Sequence, residues 1–186
     1  MKRPPISQAD LQAARGGQLR DVWPQGVKVI FCGINPSLYS AATGRHFARP
    51  GNRFWAALHR AGFTDRQLSP FEDHLLPRYG CGLTNLVNRA TARADELARQ
   101  ELREGGQRLR EKVAERRPRC LAVVGITAYR TAFDQPRAKL GRQERTIEDA
   151  AVWVLPNPSG INAHYQLDDL ARLFRELRNH LYVHKD

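Results

Sequence analysis

The sequence predicts an α/β protein, a three-layer α/β/α single domain around a central four-stranded, mostly parallel sheet. Three observations carry this. Val27–Cys32 and Ala151–Leu155 are continuous apolar runs rich in β-branched and aromatic residues, the pattern of strands buried on both faces. Gly82–Val87 and Cys120–Gly125 add two shorter runs, and helical patterns separate all four. Strands that alternate with helices form parallel sheets covered on both sides.

Each element has a local reason. Ser7 and Asp10 sit at N-cap and N3 of a short first helix. Val27–Cys32 is the first strand, and a long polar loop follows from Pro36 to Gly51. Connections of that length are often functional. Asn52 is placed to cap a helix whose Phe54, Trp55 and Leu58 share one face. Ser69-Pro70-Phe71-Glu72 reads as another helix start.

Beyond the second strand, Asn88–Ala98 is a polar loop. The helix Arg99–Arg117 buries Leu102, Leu109 and Val113. Its Gly105-Gly106 pair is expected to allow close packing. Cys120–Gly125 is the third strand, and Thr127 is placed to cap the next helix. Gln135–Asp149 is polar and irregular, and Pro118 and Pro156 bracket the third and fourth strands. Leu167, Leu170, Leu173, Phe174, Leu177 and Leu181 recur at helical spacing, which predicts a closing amphipathic helix. Residues 1–186 read as one domain, with 1–6 a flexible tail.

Composition narrows the function. The chain has 186 residues, 41% hydrophobic, enough for a sizeable core. No apolar run approaches the roughly 20 residues of a membrane span. Met1-Lys2-Arg3-Pro4-Pro5 lacks a secretory apolar core, so the expected location is cytoplasmic. Three cysteines without CxxC spacing argue against zinc or iron–sulfur chemistry. With 30 basic against 19 acidic residues and a net charge of +11, the favoured partner is a polyanion.

Two asparagine-proline turns follow two of the strands, Gly33-Ile34-Asn35-Pro36-Ser37 and Asn157-Pro158-Ser159-Gly160. Ligands of open α/β sheets bind outside the carboxyl ends of the strands, so both turns are expected to face one cleft. Glycine admits close approach of a ligand to the backbone. An asparagine amide can hold a water or read a base edge. Ile161, an apolar residue next to the second turn, has the shape of a wedge between DNA bases. Alternatively it tucks into the core.

Six segments in order, Val29–Pro36, Gly51–Trp55, Ala61–Thr64, Leu83–Val87, Glu104–Gly106 and Trp153–Gly160, resemble the mismatch-specific uracil-DNA glycosylase and thymine-DNA glycosylase family, with the bacterial mismatch-specific branch most similar. The resemblance implies the uracil-DNA glycosylase fold. It implies hydrolysis of the N-glycosidic bond of flipped-out uracil, thymine or a damaged pyrimidine mispaired with guanine, leaving an abasic site. It implies no cofactor and no metal. The partner is then double-stranded DNA with G:U or G:T mismatches, single-stranded DNA being left open, and the chain is expected to be a monomer.

The same resemblance assigns roles. Asn35 would position the attacking water, and Phe47 would stack on the flipped base, unless it folds into the core. Ile34 and Ser40 would line the pocket. Ile161 would wedge the duplex beside Asn157, while the backbone of Gly160 and Asn162 would pair with the widowed guanine. Ala163 departs from the arginine that bacterial relatives can carry, which weakens the case for strict guanine dependence. An amide is a poor base near neutral pH, so a carboxylate near the sugar would help. Asp95 is the candidate, its alternative being a helix cap. No lysine lies in either turn, so lyase chemistry through a Schiff base is not expected. A non-catalytic DNA-binding module of the same fold is the rival reading. A nucleotide-binding enzyme lacks its glycine-rich loop here.

Overall fold

The computed structural model describes residues 5–183; the first four residues of the expected tail lie outside them. Five strands form one sheet, β1 (Val29–Gly33), β2 (Cys81–Asn85), β3 (Cys120–Val124), β4 (Gly141–Arg142) and β5 (Ala151–Leu155). Their order is β2-β1-β3-β5-β4. The four expected strands run parallel. The fifth, β4, is a two-residue antiparallel strip on β5 inside the segment read as irregular. So short a strand leaves no periodic pattern. At the other edge, Val22 forms an antiparallel bridge with Leu83 and covers β2.

The helices are α1 (Gln8–Ala13), α2 (Leu38–Thr43), α3 (Phe54–Arg60), α4 (Arg99–Arg116), α5 (Ile126–Ala132) and α6 (Leu167–Val183), with 3-10 turns at Pro70–Tyr79 and Ala94–Glu96. Ser7 and Asp10 close the capping box expected for α1. Asn52 Oδ1 accepts from Phe54 N at 2.9 Å from two residues before α3, one residue ahead of the N-cap, Arg53. The loop after β1 is not wholly irregular. Ser37 Oγ accepts from Ser40 N at 3.1 Å and Gly44 turns left-handed, which defines α2 between them. Thr127 is not a cap: α5 begins at Ile126, one residue earlier.

Alternate residues of each strand feed two cores. Val29 and Phe31 face α3 and α6; Ile30 and Cys32 face α4 and α5. Phe31 meets Phe54, Phe63 and Phe174 at 5.4, 5.4 and 5.6 Å between centroids. Such pairs are worth about 0.5–1.5 kcal/mol each beyond area burial, so they fix α3 and α6 on the sheet. On the far face, a Cβ on Gly105 would collide with Leu86 O, and one on Gly106 would lie 2.5 Å from Ala132 O. The glycine pair therefore seats α4 against the chain leaving β2 and against α5. Cys32, Cys81 and Cys120 are buried and free. Burial pushes the Cys81 and Cys120 thiols up to about 12, so they are not nucleophiles.

Candidate active site

Both asparagine-proline turns reach one cavity of about 560 Å³, a volume suited to a small organic ligand. Asn35, Ser37 and Ser40 contribute from the segment after β1. Thr91 to Asp95 contribute from the segment after β2, and Asn157, Ser159 and Ile161 from the segment after β5. The cavity thus lies outside the carboxyl ends of the parallel strands, as open α/β sheets dictate.

Asn35 is held from the neighbouring segment. Its Nδ2 donates to Arg89 O at 2.9 Å and to Thr91 Oγ1 at 2.8 Å. Both amide protons are thereby engaged, and Oδ1 is the group left to offer the cavity. The clamp exists because strand pairing continues past the strand ends. Leu86 N donates to Gly33 O, Val87 N to Ile34 O and Thr91 N to Pro36 O. The Arg89 side chain forks onto Glu101 of α4 at 2.8 and 3.0 Å. That guanidinium holds the Glu101 carboxyl down to about 2.

Asp95 stands in the same wall, its side chain 63% exposed and paired to Arg93 at 2.6 Å. It caps no helix. Glu96 takes the Arg93 N–H and Glu101 takes the Ala98 N–H. Arg93 holds both Asp95 carboxylate oxygens, Nε on Oδ1 at 3.2 Å and Nη2 on Oδ2 at 2.6 Å, so the carboxylate meets the cavity as one half of an exposed ion pair.

Ser40 is buried and bridges Ser37 to the amide of Ala48. Ile34 does not line the cavity. Its side chain packs into the second core and over Gly125 at the end of β3, because the residue after Gly33 points to the α4–α5 face. Phe47 does not line the cavity either. Its ring stacks on Phe54 at 4.0 Å and borders an adjoining groove of about 290 Å³. It has a positive φ of 52°, a strained conformation outside glycine. His46 is buried, donates from Nε2 to Arg20 O at 2.9 Å, and has its pKa lowered by that burial. It is a structural residue.

The sequence reading missed Asn85. Gly33 and Asn85 are in register on β1 and β2. A Cβ on Gly33 would lie 2.5 Å from Asn85 Oδ1 and 3.3 Å from Phe47 Cζ. A carboxamide and an aromatic ring therefore converge on bare backbone two residues before Asn35. The signal was available: Asn85 ends its strand as Gly33 ends β1.

The second turn is an organised loop. Asn157 Oδ1 accepts from Ser159 N at 3.0 Å, and Asn162 Nδ2 donates to Asn157 O at 3.0 Å. Arg53, also missed from sequence, donates to Tyr165 O at 2.5 Å and to Ser159 O and Asn162 O at 2.8 Å each. A Cβ on Gly160 would meet Gly51 O at 2.7 Å, so this loop rests closely on the first. Ile161 is 69% exposed, the large hydrophobic residue left in solvent among the described residues. It is not tucked into the core. The backbone of Asn162 is already engaged, its N–H with Ser159 O and its C=O with Arg53. Of the two residues assigned to the guanine, Gly160 keeps its peptide groups unengaged among the described residues.

Among the described residues no group of three His, Cys, Asp or Glu could hold a metal, and no helix is long and apolar enough to cross a membrane.

A mixed sheet of this order carrying a cavity outside the carboxyl ends of its parallel strands defines an α/β domain with its ligand site at the strand ends. The uracil DNA glycosylase superfamily profile matches residues 21–181, and the chain belongs to that superfamily. Its fold is similar to a solution NMR structure from Methanosarcina acetivorans described as a "putative Uracil DNA glycosylase". The TM-score is 0.54 at 17% identity, over 88% of this chain and 98% of the other. Membership supports a glycosylase role and DNA as the partner.

Proposed function

We propose that the protein is a monofunctional glycosylase that removes uracil, or thymine, mispaired with guanine in duplex DNA. The observation that carries this is Asn35, whose clamped amide leaves Oδ1 toward the cavity. A water donating to Oδ1 is aimed, not deprotonated. The C1′–N bond breaks first in this scheme and its electron pair leaves with the base as an anion. The water oxygen then bonds to C1′, and its proton passes to the Asp95 carboxylate or to solvent. The same carboxylate stabilises the developing oxocarbenium charge.

The base must leave the stack, at a cost of a few kcal/mol that is lowest for a mispair. The polar groups available to a pyrimidine are those that line the cavity, Asn35, Ser37, Ser40 and Asn52, whereas Asn85 and Phe47 meet at Gly33 outside that lining. Ile161 is positioned to fill the gap in the duplex. The cavity walls contain no lysine, which favours a product with an intact abasic site. The protein acts as a monomer in this reading.

The test is a labelled duplex with one U:G, T:G or U:A pair, incubated and then cleaved with alkali. Alkali-dependent cutting at U:G is expected, with a single-turnover rate about 100-fold lower for Asn35→Ala. A wild-type protein that binds the duplex but never yields an abasic site is a binding module. Full activity in Asn35→Ala removes the water-positioning role.

A further inference from the structure

Beside the main cavity lies a second cleft of about 360 Å³, bounded by Leu11, Leu38, Tyr39, Pro50, Arg49 and Ala92. Ser37, Arg49 and Ala92 line both spaces, so the two form one trough. The chemistry assigned to Asn35 and Asp95 makes no use of the second part.

Its walls are mainly carbon. Ser37 Oγ is occupied in capping α2 and in meeting Ser40. Tyr39 is half-buried, and its hydroxyl has no hydrogen bond among the described residues. Arg49 is exposed, with no ion pair or side-chain hydrogen bond among those residues, and it stands where the two spaces meet. An aromatic platform and a free cation at the junction of two adjoining hollows is the arrangement that holds consecutive nucleotides of one strand. The ring takes a base face and the cation takes the phosphate between them.

We propose that this cleft receives the nucleotide adjacent to the flipped one on the same strand, its base stacked on Tyr39 and the shared phosphate against Arg49. The inference rests on the glycosylase reading for the register of the strand. The occupant is a nucleotide and not a second protein copy, because the cleft continues the substrate cavity and the chain carries a net charge of +11. Few free polar groups line it, so any of the four bases is accepted.

The test uses single-stranded oligonucleotides carrying 2′-fluoro-2′-deoxyuridine, whose glycosidic bond resists cleavage. The neighbouring base is present or is replaced by an abasic spacer on the 5′ or the 3′ side. Affinity is read by fluorescence anisotropy. Removing the base on one side weakens wild-type binding about tenfold, whereas removal on the other side changes it by less than about twofold. Tyr39→Ala binds the intact strand about tenfold more weakly and no longer senses the spacer, while Tyr39→Phe retains both affinity and sensitivity. Arg49→Gln lowers the slope of log affinity against log salt by about 0.7, the single-strand value for one phosphate.

Wild-type indifference to both spacers overturns the subsite, as does full affinity of Tyr39→Ala. Uracil release from a cleavable strand is measured in parallel. Its absence counts against the glycosylase reading alone, since the anisotropy comparison judges the cleft by itself.

Discussion

Arg53→Met tests whether the loop bearing Ile161 is held in place by one side chain. The substitution keeps the aliphatic stem and removes every donor. Three loop carbonyls, those of Ser159, Asn162 and Tyr165, lose a charged partner at 2.5–2.8 Å. Hydrogen bonds to charged groups contribute about 1.5–3 kcal/mol each. The loop is partly exposed, so water recovers some of that loss, and the three bonds share one guanidinium. A net loss of about 3 kcal/mol is the reasoned figure. For a domain of this size that lowers Tm by about 6–12 °C. The assay pairs a thermal melt with single-turnover uracil release from a U:G duplex and from a single strand. The duplex rate falls further than the single-strand rate, because an unanchored Ile161 cannot push into a stack. A Tm within about 2 °C of wild type together with an unchanged duplex-to-single-strand ratio refutes the reasoning.

Three further outcomes are expected. Asp95→Asn lowers the single-turnover rate on U:G by about 10–100-fold without weakening DNA binding; an unaltered rate removes the carboxylate from the mechanism. Ile161→Ala slows release from duplex about tenfold more than from single strand, and equal losses on both would sink the wedge. The third concerns His46. Burial lowers its pKa below the ordinary 6.5, so the unfolded chain binds the extra proton first. Its contribution to stability is complete above pH 6.5 and is lost as pH falls below that value. Glu72 and Glu101, held at about 2 by Arg66 and Arg89, act in a separate window below their ordinary 4.5. Melts between pH 7 and 5.5 therefore show a falling Tm in wild type and a flatter line in His46→Gln.

The parallel strands and the closing helix were legible because burial on a sheet face or a helix stripe leaves a periodic trace. The meeting of the two asparagine-proline turns was legible from one rule about strand ends. Other features leave no such trace. β4 is two residues long and exists only through its pairing with β5. Arg53 looks like any surface arginine until three carbonyls from residues more than a hundred positions away surround it. Ile34 was misplaced because a motif names residues without saying which face each occupies. Asn162 was offered to a guanine although its loop already uses its peptide groups.

The clamp on Asn35 also limits what evolution can do at that position. Its two partners, Arg89 O and the Thr91 hydroxyl, act as acceptors, and that hydroxyl spends its own proton on Arg93 O. An aspartate at 35 would turn an anionic oxygen toward them and be repelled. The chain cannot strengthen its base by the single exchange of amide for acid. A carboxylate has to be recruited from a different segment, and the stretch that already orients the amide is the nearest source, with Asp95 six residues after Arg89.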